Sequence, residues 1–387
     1  MEKVYLDNAA TTRVDERVIE VMVDCMRNNY GNPSSVHSFG RDARRLVENA
    51  RAQVAKLLNA ETSEIFFTGG GTEGDNLGIK GVMAANEKKG RHIISTPIEH
   101  HAVLHSLDYL LKTGCEITML PVDEYGMVNP EDLRSAIRTD TVLVSIMFAN
   151  NEVGTVQPVN EIGKICRERG VYFHTDAVQA VGNMPIDVKA LNIDLLPLSG
   201  HKFNAAKGIG ALYVRKGVRI LPVQHGGSHE RNLRAGTENV PGIVGLGQAA
   251  VIAQAEMSEK VERLTNLRDK LISGIIDGIP NVKLNGHPIQ RLPGNVNFSF
   301  RFIEGESLLL NLDLKGIAAT SGSACTSGTL DPSHVLLAMG MSHEVAHGSL
   351  RMTIGKYNVE RDIEYCLEVL PEIVLRLRRM SPLYEGI

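Results

Sequence analysis

The chain is poor in cysteine, with five in 387 residues, at positions 25, 115, 166, 325 and 366. They are scattered, odd in number and never spaced C-x-x-C. That excludes a disulfide framework and the usual zinc spacings, and it fits a reducing compartment. No apolar stretch reaches the ~18 residues that a membrane span needs. The N-terminal M-E-K-V-Y-L-D-N is acidic and runs straight into a strand-like segment, without signal or transit character, so a cytoplasmic protein is expected. No basic block exceeds a few residues. The 41 Lys and Arg are set against 45 Asp and Glu, giving a net charge of -4, and nucleic acid is not an expected partner. Low-complexity tracts, linkers and repeats are also missing.

What is present is a globular composition, 43% hydrophobic and 22% charged, in a chain long enough for two or three domains. Short apolar runs at 64–68, 92–95, 115–120, 142–148, 172–175, 194–198 and 210–214 alternate with helical patterns such as 160–169. This predicts an α/β layer with a mostly parallel seven-stranded sheet flanked by helices. Only a loop separates the last two runs, so an antiparallel strand is expected there. Residues 240–277 read as long helices with little break. Strand candidates follow at 281–284, 295–300 and 317–320, with helices near 332–339 and 359–379. The division is a large domain over 13–259 and a smaller α+β domain formed by 1–12 and 260–387.

Lys202 closes S-G-H-K at the end of an apolar strand, an unusual place for a solvated charge. It is either a strand-end lysine snorkelling to water or a lysine that holds a carbonyl cofactor as a Schiff base. Residues 69–74, G-G-G-T-E-G, follow a strand and open a helix. They predict a phosphate-binding turn in which Thr72 offers a hydroxyl as helix cap or ligand. Read literally the turn is G-x-G-x-x-G, and with Glu99 downstream it admits a nicotinamide-dinucleotide reading. Asp176 at another strand end either caps a helix or pairs with a protonated ring nitrogen. Gln179 is packing or a partner for a ring hydroxyl. Within Glu99-His100-His101 no third metal ligand stands at a diagnostic spacing, and a histidine stacked on a flat cofactor is the more useful role. Asn151 lies in a polar strand-end turn. Arg351, in an alternating apolar strand, needs an anionic partner, either a structural acid or a substrate carboxylate. Cys325 sits in S-G-S-A-C-T-S-G, among small polar residues that suit a reactive thiol.

Ten segments, in order, are Y-L-D-N-A-A-T-T (5–12), G-N-P-S-S-V-H (31–37), G-T-E (71–73), E-H-H-A-V (99–103), N-N-E-V-G (150–154), D-A-V-Q (176–179), S-G-H-K (199–202), R-A-G-T-E-N (234–239), S-G-S-A-C-T-S-G (321–328) and A-H-G-S-L-R (346–351). Jointly they resemble the NifS/IscS-type cysteine desulfurases, pyridoxal-phosphate enzymes of the class-V aminotransferase family. The resemblance spans nearly the whole chain and implies an aspartate-aminotransferase-like, type I fold. By this resemblance Lys202 carries pyridoxal 5'-phosphate, Asp176 pairs with the pyridine nitrogen, Gln179 contacts the ring oxygen and His100 stacks on the ring. Gly71, Thr72, Ser199 and His201 bind the phosphate, joined by Thr237 from the second subunit of a homodimer. Asn151 and Arg351, with Asn8 nearby, hold cofactor and substrate carboxylate. Cys325 takes the sulfur of L-cysteine as a persulfide, leaving L-alanine. It passes the sulfur to an acceptor such as a NifU/IscU-like iron–sulfur scaffold, where it transiently touches a cluster.

Some positions depart from the usual pattern. Asn204-Ala205-Ala206-Lys207 replaces a segment that commonly ends Pro-Lys, Pro197 stands where a small polar residue is common, Gly71 where alanine is, and Asp75 where asparagine or serine is. These put local rigidity near Lys202 in question more than the reaction type. The rivals are the nicotinamide oxidoreductase, which leaves Lys202 and Cys325 without a task, a selenocysteine lyase-like enzyme, and a non-catalytic sulfur carrier or assembly platform.

Overall fold

The computed structural model describes residues 3–321, 332–382 and 384. After β1 (Val4–Tyr5) the chain forms α1 (Glu16–Asn28) and α2 (Ser38–Leu58), then enters a seven-stranded sheet. Its strands are β2 (Ile65–Thr68), β3 (His92–Ser95), β4 (Glu116–Met119), β5 (Thr141–Ser145), β6 (Tyr172–His174), β7 (Leu195–Ser199) and β8 (Gly210–Val214). They lie in the order β2-β8-β7-β6-β5-β3-β4. Only β8 runs antiparallel to its neighbours, as the short β7–β8 loop predicts. The helices between strands are α3 (Gly71–Ala85), α4 (His101–Lys112), α5 (Pro130–Ala136) and α6 (Val159–Arg169). β3, β5, β7 and β8 are buried at every residue, which is why they read as unbroken apolar runs.

The ladder of β5 stops at Ser145, short of the expected strand to residue 148. Beyond it the backbone still bonds sideways, Ile146 N–H to His174 O and Phe148 N–H to Asp176 O, while peeling out of regular pairing at the carboxyl edge. That edge is where an open α/β sheet binds ligands. β3 has β4 on one side and β5 on the other, so the chain switches direction there.

The stretch 240–277, read as long helices with little break, is continuous. α7 is one helix, Val240–Gly278, of 39 residues. Its first half, through Ala253, packs with α1 and α2 into the core beneath the sheet. Its second half, from Leu264, enters another core. There it meets a three-stranded antiparallel sheet of β9 (Val282–Leu284), β10 (Asn295–Phe300) and β12 (Ser349–Thr353). The parallel pair of β1 with β11 (Ile317–Ala318) joins the same core, with α8 (Gly305–Leu314) and α11 (Glu360–Met380) around it, while α9 (His334–Ala338) and α10 (His343–His347) pack with Ile98, Met147 and Val153 in a small separate core.

Candidate active site

The carboxyl edge of the sheet opens onto a cavity of about 340 Å³. One wall is the turn from β2 into α3. Gly70 is the N-cap, with φ +153°, and it has no side chain to satisfy the first N–H groups of the helix. The expected Thr72 cap does not form. Thr72 instead stands at the cavity mouth beside an open helix N-terminus, the natural seat for a phosphate. Gly71 is required by space, because a Cβ there would lie 2.5 Å from Val178 Cγ2. Ser199, the last residue of β7, and His201 line the same end. Burial, then Lys202 and Lys207, push the His201 ring down to about 4.

Asp176 forms the floor. One oxygen accepts from Val178 N–H at 2.9 Å, and no helix follows for it to cap. Its other oxygen has no hydrogen bond among the described residues. Burial raises its pKa, opposed by His100 and Lys202, so the carboxylate is short of a cationic partner. A protonated ring nitrogen supplies one. His100 caps α4, its Nδ1 accepting from Ala102 N–H at 3.1 Å. The neutral ring, favoured by burial, therefore carries its proton on Nε2. Gln179 donates to Ala9 O at 3.0 Å. Lys202 ends the single turn Gly200–Lys202, and its Nζ donates to Ala9 O at 2.7 Å and Ala10 O at 2.9 Å. It is thus held at the cavity wall and does not snorkel to water.

Across the cavity, Arg351 of β12 is 4% exposed. It donates to Asn151 O at 2.9 Å and to Asp7 Oδ1 at 3.2 Å, and its buried Nε has no partner among the described residues. A guanidinium so incompletely satisfied fits a carboxylate ligand. Asn151 lines the cavity beside it. Asn8 lies on the other side of Lys202, in a smaller cavity of about 50 Å³, with its amide tied to Thr353 O and Asn358 Oδ1. Thr237 is exposed and does not reach the cavity of its own chain. Cys325 lies outside the described residues.

Motif reading missed the carbonyls of Ala9 and Ala10 and the wall residue Val178, and it marked Asp75 only as a departure from the family pattern, without a role. The carbonyls carry no side-chain signature. Asp75 had one, a charge in a helix turn directed at the sheet. The departures near Lys202 find local compensation. Asn204 takes a left-handed φ of +69° and bonds Arg13 O and Thr12 Oγ1, bracing the turn in place of a proline. Pro197 sits where β7 has left β6, since their pairing is confined to His174 and Leu195. Gly74 leaves room for its ring, with a Cβ there only 2.8 Å from Pro197 Cβ. Glu99, the acid of the dinucleotide reading, is wholly buried and bonded to Thr96 Oγ1 and Met147 N–H, where no ribose reaches it.

An open helix N-terminus, a buried acid needing a cation and a carbonyl-held lysine together fit pyridoxal phosphate. A family model described as aminotransferase class V matches residues 4–366. The chain belongs to the class-V aminotransferase family. Class-V aminotransferases are pyridoxal-phosphate enzymes. Among the class-V relatives, a cysteine desulfurase IscS of Methanosarcina thermophila is 59% identical over 380 residues, covering 98% of this chain and 94% of the relative. One from Clostridium botulinum is 56% identical over 386 residues, 99% and 97% of the two chains. A solved NifS-like protein is 42% identical, with a TM-score of 0.91, covering 97% of this chain and 100% of the other.

Proposed function

We propose that this class-V aminotransferase is a cysteine desulfurase that converts L-cysteine to L-alanine and moves the sulfur to its own Cys325. One observation carries the site assignment: Lys202 Nζ is fixed by Ala9 O and Ala10 O on the wall of a cavity that has Asp176 at its floor. When bound, pyridoxal phosphate withdraws electrons from the substrate α-carbon. Every other part of the task falls to side chains. The α3 N-terminus, Thr72, Ser199 and His201 hold the phosphate, Asp176 holds the ring nitrogen proton, and Gln179 the ring oxygen. Arg351 and Asn151 orient the substrate carboxylate. Lys202 anchors the cofactor and takes the α-proton, and His100 Nε2 is the donor placed to return a proton to the departing product.

Cys325 acts as thiolate on the substrate sulfur. The new S–S bond forms as the Cβ–S bond breaks, the Cβ carbanion picks up a proton, and the enzyme is left with a persulfide. An iron–sulfur scaffold protein is the proposed acceptor, with Cys325 briefly at the cluster during transfer. The protein is proposed to act in the cytoplasm as a homodimer, each subunit offering Thr237 to the other's phosphate. The proposed domain division is 13–259 against 1–12 with 260–387.

The purified protein absorbs visible light from its lysine-bound cofactor, and L-cysteine perturbs the band. Cys325→Ala keeps the band and loses sulfide release. Normal sulfide release by that variant would overturn the assignment of Cys325, and a colourless protein that cannot be reconstituted would overturn the assignment of the cavity.

A further inference from the structure

Asp75 has no place in the chemistry above, yet it is 1% exposed and lines the cavity floor. Its Oδ1 lies 3.4 Å from His174 Nε2, and among the described residues neither atom has a hydrogen bond. The other ring nitrogen of His174, Nδ1, is 2.9 Å from Ser145 Oγ. His174 ends β6 two residues before Asp176 and is pressed against α3, where a Cβ on Gly78 would come within 3.3 Å of its Cδ2.

Among the described residues no lysine or arginine pairs with Asp75. The ionisable groups acting on it are Asp176 and Glu99, both acids and both buried. Adjacent buried carboxylates do not ionise together cheaply. Burial and these two acids push Asp75 well above the ordinary carboxyl range. His174, wholly buried, is pushed down to about 3 and stays uncharged. A neutral imidazole has one donor and one acceptor. The Nδ1–Ser145 Oγ bond can run either way, and a protonated Asp75 selects the tautomer with Nδ1–H on Ser145 Oγ and Nε2 as the acceptor.

We propose that Asp75 is a positioning residue, a neutral carboxylic acid that donates its O–H to His174 Nε2 and leaves Asp176 to carry the negative charge that meets the cofactor ring nitrogen. A second charge on Asp75 would drive a proton onto Asp176 and spoil it as an acceptor. This inference rests on the cavity's being the pyridoxal-phosphate site.

Three measurements on the purified full-length chain test it. The infrared difference between parent and Asp75→Asn contains the C=O band of a protonated carboxyl, and ¹⁵N NMR shows the His174 proton on Nδ1. In reconstitution followed by the visible band, Asp75→Ala, which leaves Nε2 unsatisfied, holds pyridoxal phosphate about tenfold less tightly or worse. Asp75→Asn keeps a donor and restores retention to within about twofold of the parent. Absence of the infrared band, a proton on Nε2, or an Asn variant as weak as the Ala variant would each overturn the proposal. A parent that binds no pyridoxal phosphate overturns the reading of the cavity instead, while the infrared and NMR results still decide the state of Asp75. Those two readings come from the near-isosteric Asn variant and the parent, so they stand even where Asp75→Ala does not fold.

Discussion

At the scale of single residues, Arg351 has the clearest unmet demand. Two of its nitrogens are committed, to Asn151 O and Asp7 Oδ1, and Nε is buried without a partner among the described residues. Burial raises the pKa of Asp7, with Arg351 opposing, so the acid answers the guanidinium only in part. Arg351→Gln removes a charge-assisted bond worth about 1.5–3 kcal/mol. The KM for L-cysteine should rise about 10–100-fold, with the visible band of the cofactor still in place. A fall in kcat at unchanged KM would mean that Arg351 does not hold the carboxylate. Sequence spacing left this residue evenly divided between a salt bridge and a substrate clamp, and the structure shows why. One nitrogen makes the salt bridge to Asp7, while Nε keeps an unmet demand of the kind a carboxylate would satisfy. Lys202 was similarly undecided, because the carbonyls that hold it come from positions 9 and 10, nearly 200 residues away. Short-range pattern carries no trace of such a contact.

At the scale of elements, the loop before α7 is the most constrained. Glu230, Arg231 and Asn232 all have positive φ, a conformation that costs each of them energy. The segment is held by Glu230, whose carboxylate pairs with Arg51 at 2.8 Å and accepts from Phe67 N–H at 2.8 Å. Both partners of the ion pair are nearly inaccessible, 3% and 2% exposed at the side chain. Arg234 on the same loop bonds Glu73, which in turn accepts from Gly69 N–H. The loop that bears Thr237 is therefore tied to the turn that leads into α3. Glu230→Gln leaves the Arg51 charge buried and should cost about 3–5 kcal/mol of stability, read from urea unfolding. A loss under about 1 kcal/mol would show that water replaces the pair.

Elements differed in how well they could be read. The strands at 92–95 and 210–214 match residue for residue, because both are short and buried on both faces. The run 142–148 misled because its apolar residues continue after the ladder ends, Met147 lining the cavity while Ile146 and Phe148 stay in the core. α7 begins V-P-G-I-V-G-L-G, a composition that argues against a long helix. The glycines serve packing: a Cβ at Gly247 would sit 2.8 Å from Ala50 Cα, so α2 and α7 touch backbone to backbone. Tertiary contact repays what local propensity withholds.

At the scale of the whole molecule, the two cores share one rod. With 39 residues at ~1.5 Å each, α7 is roughly 58 Å long. From 254 to 263 no residue of it is buried, yet the stretch is fastened on both sides. Glu256 pairs with Arg17 and Lys356, Lys260 bonds Gly182 O and Asn183 Oδ1, and Arg263 bonds Lys356 O and Asn358 O. One cooperative thermal transition is expected for the parent. Glu259→Pro, at an exposed position in the bridge, should cost about 3 kcal/mol or more and separate the melting of the two cores into two transitions. A single transition in that variant would mean that the cores are coupled mainly through their other contacts.

The rod also acts as a girder between the part of the protein that binds the cofactor and the part that supplies Arg351. A hinge of loose loops would let the two swing in any direction. A continuous helix clamped at mid-length resists stretching and shear and yields only to slight bending and twisting about its own axis. Relative motion of Arg351 and Lys202 is therefore expected to be small and to follow the few modes that such a helix allows.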